Sequence, residues 1–87
     1  MSTPEPTDLP EHDALLQVAQ SVLLPLARLL VARGVHFAAV EEQLKQAFVA
    51  AAREAALVAT PDALPHRLVS RLSTATGINR REVTRLV

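Results

Sequence analysis

Between Leu15 and Val58 apolar residues recur at intervals of three and four, and the recurrence breaks once, at Gly34. That interval is the period of a helix and not the alternation of a half-buried strand, so the chain is confined to helices at the outset. In a first helix over residues 15–32, Val18, Ala19, Val22, Leu23, Leu26, Leu29 and Leu30 share a broad face. Gln17, Ser21 and Arg28 gather opposite. Pro25 removes one backbone bond, which predicts a kink or the start of a second segment there, and Gly34 supplies the stop. In a second helix over 37–58, the expected inner face is Phe37, Val40, Leu44, Phe48, Ala51, Ala55 and Val58, with Glu41 and Lys45 as an i,i+4 pair on its flank. The expectation is all-α: two long antiparallel helices, then a pair of short ones, four to five in all.

Composition bounds what such a chain can do. Its 87 residues allow one domain, and 49% hydrophobic content suits a globular one. Residues 1–10, with three Pro and little apolar content, read as a disordered tail, which leaves 11–87 as a single helical domain. The start lacks the basic and apolar regions of a signal peptide. Polar residues and Arg28 interrupt the first helix, which argues against a membrane span. With no cysteine, disulfides and thiolate metal sites are excluded, and the expected compartment is the cytoplasm.

The formal net charge is zero, yet it is unevenly placed. Residues 1–64 carry four Lys/Arg against eight Asp/Glu, whereas residues 65–87 carry five Arg against Glu82 alone. A polyanion would therefore dock at the C-terminal end. Over 68–87 the pattern is a short helix, a turn containing Gly77, and a second short helix. Leu68 and Leu72 face inward together, Gly77 suits a left-handed turn position, and Ile78 plugs the gap between the helices. Asn79 caps the last helix, with Glu82 placed to complete a capping box. Val83, Leu86 and Val87 form its inner face, leaving Arg80, Arg81, Thr84 and Arg85 outward, where base edges and phosphates would be met.

Leu72, Gly77, Ile78, Val83 and Leu86 stand at the spacing of the helix-turn-helix superfamily of bacterial DNA-binding proteins, which this segment resembles. It departs from that pattern at Ser73, where Ala is usual, and at Thr76, where an apolar residue is usual. The resemblance covers about 20 residues, within an expected motif at 66–87. LLPLARLLVARGVHF at 23–37, AARE at 51–54 and VSRLSTATGINRREVTRL at 69–86 are similar to the N-terminal part of a proteobacterial family of unknown function that carries a helix-turn-helix region. That resemblance implies longer members.

The remaining polar groups do not assemble a catalyst. His12, His36 and His66 share no ligand spacing, Glu41 and Glu42 diverge around their helix, and Ser70 and Ser73 have no base at contact spacing. Gly34 and Gly77 are the only glycines, so no phosphate-cradling loop exists. No enzyme, cofactor, metal or small-molecule ligand is expected. Two readings stand. One is a sequence-specific DNA-binding module of a transcriptional regulator, in which the helix from Arg80 reads the major groove of double-stranded DNA. Its contact set is Arg67, Ser70, Arg71, Asn79, Arg80, Arg81, Thr84 and Arg85. The other is a helical protein-interaction or dimerisation module without nucleic-acid binding. Leu24 and Val31 on the first helix and Val49 and Leu57 on the second lie off the expected core faces, which predicts a homodimer with recognition helices about 34 Å apart.

Overall fold

The computed structural model describes residues 8–87, and side chains from residue 11 onward. It is all-helical, with four helices and no strand among the described residues: α1 (Asp8–Ala32), α2 (Phe37–Ala59), α3 (Pro65–Thr76) and α4 (Arg80–Leu86). Of the expected tail, residues 1–7 lie outside the described residues, while 8–10 open α1. The residues divide into two compact units that part between His36 and Phe37.

In the first unit α1 runs unbroken through Pro25, whose missing N–H leaves the Ser21 carbonyl without its helical donor. The helix stops at Gly34, which takes φ 74°. The Gly34 N–H donates to the Val31 carbonyl and the Val35 N–H to the Leu30 carbonyl, a Schellman closure that needs a residue free to adopt a positive φ. Residues Glu11–Ala32 are long and apolar enough to cross a membrane by length and composition alone.

The second unit holds the buried core: Val49 and Ala56 of α2, Leu68 and Leu72 of α3, and Val83 of α4. Leu72 and Val83 are fully buried, and Ala52, Leu57, Val69, Ile78 and Leu86 pack around them. Here the expected inner face of α2 is corrected. Phe48 is 52% exposed and Val58 84%, with Phe37 and Leu44 exposed too, while Val49 is 3% exposed. The helix is turned by about one residue, roughly 100°. Its contact stripe is Val49, Ala52 and Ala56, small enough for α3 to approach closely. Val49 and Leu57, expected as a surplus face for a second copy, are therefore core and near-core positions.

Candidate nucleic-acid interface

Pro65 opens α3 at its first turn, where a missing N–H costs nothing and the fixed φ suits a helix, and extended Leu64 precedes it. Gly77 closes it at φ 78°, its N–H donating to the Ser73 carbonyl at 2.9 Å. Three residues then lead into α4. The two polar departures from the motif pattern sit at this turn and serve it. Ser73 Oγ donates to the Ile78 carbonyl at 2.6 Å. Thr76 Oγ1 donates to the Leu72 carbonyl at 2.7 Å and accepts the Ile78 N–H at 3.1 Å. The Ile78 N–H and carbonyl, which lie between the two helices, are thus satisfied by side chains, which apolar residues at these positions would not do.

Asn79 caps α4 as expected, accepting the Glu82 N–H on Oδ1 at 2.9 Å. The reciprocal half of the capping box is absent. The Glu82 carboxylate instead accepts from Lys45 Nζ at 3.0 Å and from Arg85 Nη2 at 2.7 Å. Arg85 also grips Glu42 with two bonds, Nη1 to Oε2 at 3.0 Å and Nη2 to Oε1 at 2.9 Å. Gln46 supports Glu42 from one turn along α2, and Glu41 stands 3.9 Å from Lys45. Hydrogen bonds from Arg85 and then Lys45 hold the Glu82 carboxyl down at about 2, and the Arg85 bonds likewise lower that of Glu42. Arg85, expected to face a polyanion, is half exposed and ion-paired with Glu42 and Glu82, which ties α4 to α2. The sequence reading missed this network. No sequence signal marked it, because Lys45 and Glu42 lie 37 and 43 residues from their partners on α4 and only the packed face of α2 brings them within reach.

The other candidate residues keep the expected placement on α3 and α4. Arg67, Arg71, Arg80, Arg81 and Thr84 are exposed, and Ser70 is half-buried. Arg67, Ser70 and Arg71 line one shallow depression on α3, together with His66 and Thr74. Arg71 Nη1 donates to Thr60 Oγ1 at 2.8 Å, a neutral partner that fixes the side chain and leaves its charge uncompensated. Thr84 Oγ1 donates back to the Arg80 carbonyl at 2.9 Å. Helix α3 contains no acidic residue. Among the described residues no Asp or Glu pairs with Arg67, Arg71, Arg80 or Arg81, and no group of His, Asp and Glu is placed to hold a metal ion. Comparison with protein-family models, with curated proteins and with solved structures gave no match to this chain.

Proposed function

We propose that the second unit is a helix-turn-helix DNA-binding module of a bacterial transcriptional regulator, or of the N-terminal region of one. The observation that carries this reading is the junction of α3 and α4. Gly77 and the Ser73 and Thr76 hydroxyls hold a three-residue turn, Leu72 and Val83 are buried beside it, and Arg80, Arg81 and Thr84 stand exposed on the far side of α4. In this geometry α4 enters the major groove with Thr84 toward the base edges and Arg80 and Arg81 on the phosphates that flank it, while Arg67 and Arg71 meet further phosphates. Asn79 and Ser70 flank those contacts. Arg85 belongs to the ion-pair network and takes no part.

Each Lys or Arg that neutralises a phosphate releases condensed counterions, so affinity falls with salt in proportion to the contacts made. Replacing Arg80 and Arg81 together by Ala lowers the slope of log K against log salt on duplex DNA by about two units. Arg85→Ala leaves that slope unchanged. An unaltered slope in the double variant, with the helical circular dichroism intact, removes α4 from the interface.

A second reading, a helical protein-interaction module without nucleic-acid binding, draws on one specific observation. Leu44, Phe48 and Ala51 of α2 form an exposed apolar groove with Ala75 and Thr76 of α3. Salt-independent association with a partner protein, and no affinity for duplex DNA, favours that reading over the first.

A further inference from the structure

Every large apolar side chain of α1 from Leu15 to Val31, Leu30 excepted, is exposed, so the face expected to fill a core is available to a partner. That face has an ordered spacing. Leu15, Ala19, Val22, Leu26 and Leu29 follow one another at four, three, four and three residues, the seam of a coiled coil, and His12 continues it toward the N-terminus. We infer that α1 pairs with α1 of a second copy of this chain, antiparallel, along this seam. The inference is independent of the DNA-binding reading.

Two features select the second copy and the direction. In an antiparallel coiled coil the two kinds of seam position face each other across the pair. One register places every seam residue of α1 opposite an apolar or histidine partner: His12 against Leu29, Leu15 against Leu26, and Ala19 against Val22, each layer occurring twice by the two-fold symmetry. The small Ala19–Val22 layers fall at the centre, where the axes come closest, and the larger leucine layers lie outside them. Charge gives the same direction. Glu11 and Asp13 lie in the first turns of α1, whereas Arg28 lies near its end and Arg33 just beyond it. An antiparallel pair brings the acidic end of one helix to the basic end of the other and opposes the two macrodipoles. A parallel pair would gather like charges at both ends. Leu24 and Val31 fall outside the seam, on the opposite side of the helix.

The chain has no cysteine, which makes the register directly readable. On air oxidation, a mixture of Ala19→Cys and Val22→Cys chains gives the mixed disulfide dimer, and neither variant alone cross-links to itself. In sedimentation at tens of micromolar the parent is a dimer, Leu26→Glu loses the dimer, and Leu24→Glu keeps it, with the helical circular dichroism of all three retained. Self-cross-linking of Ala19→Cys would mean a parallel pair and overturns the register. A parent that sediments as a monomer in buffer and floats with phosphatidylcholine–phosphatidylglycerol vesicles overturns the inference in favour of a membrane segment. A Leu24→Glu variant that is monomeric while Leu26→Glu stays dimeric overturns the seam.

Discussion

Glu82 does two jobs through two parts of one residue. Its N–H satisfies the Asn79 cap, and its carboxylate joins Lys45 and Arg85. The first was legible in sequence, because an Asn before a helix with Glu three residues on is a local pattern. The second was not, since Lys45 lies 37 residues away and only the fold brings it within reach. Ser73 and Thr76 teach the same lesson in reverse, for a pattern that expects apolar residues reads them as misfits, whereas the turn uses both hydroxyls. The lowered Glu82 and Glu42 carboxyls have a consequence in acid. A group whose folded pKa lies below its unfolded value adds stability that is present above the unfolded value of 4.5 and lost as pH falls toward the folded one, about 2 for Glu82. The melting temperature of the chain is therefore expected to fall between pH 4.5 and 2, and Glu82→Gln to fall less steeply over that interval. Parallel curves for the two proteins would mean that the network does not hold in solution.

Helix α2 shows how far periodicity reaches at the level of an element. Its extent was legible to within a residue, 37–58 expected and Phe37–Ala59 found, and the end of α3 and the start of α4 followed from Gly77 and Asn79, whereas α3 begins at Pro65, ahead of the expected segment at 68–87. Its orientation was not. Alanine is so frequent in FAAVEEQLKQAFVAAAREAALVA that apolar residues ring the helix, and counting the largest of them favours Phe37, Leu44 and Phe48. Packing favours the stripe of smaller residues instead, because Val49, Ala52 and Ala56 let α3 lie close enough for Leu72 to be fully enclosed. The two choices differ measurably in chemical denaturation. Leu72→Ala deletes a fully buried side chain from a core of five and is expected to cost about 2–5 kcal/mol. Phe48→Ser, on the exposed stripe, is expected to stay within about 0.5 kcal/mol of the parent. The opposite order would restore the face that periodicity selects.

At the scale of the whole molecule, a chain of zero net charge binds a polyanion only if its positive charge is local and uncompensated. The sequence gradient, acidic before residue 65 and basic after it, already located that charge, but it counted five arginines where the ion pairs leave four. Arg85 is matched by Glu42 and Glu82, and Arg67, Arg71, Arg80 and Arg81 are matched by no carboxylate among the described residues. If all four meet phosphates, log K on duplex DNA falls with log salt at a slope of about −3.6 per chain, from the value of about −0.9 for each phosphate neutralised. Two chains held together on one site double this to about −7. The slope thus reports on both proposals through one titration. A value near −7 that drops to about −3.6 in Leu26→Glu joins the α1 pair to DNA binding. A value near −3.6 in both proteins keeps the interface and makes each chain bind alone. A slope shallower than about −1 in the parent leaves the arginines of α3 and α4 as solvated surface and ends the nucleic-acid reading, whatever the oligomeric state.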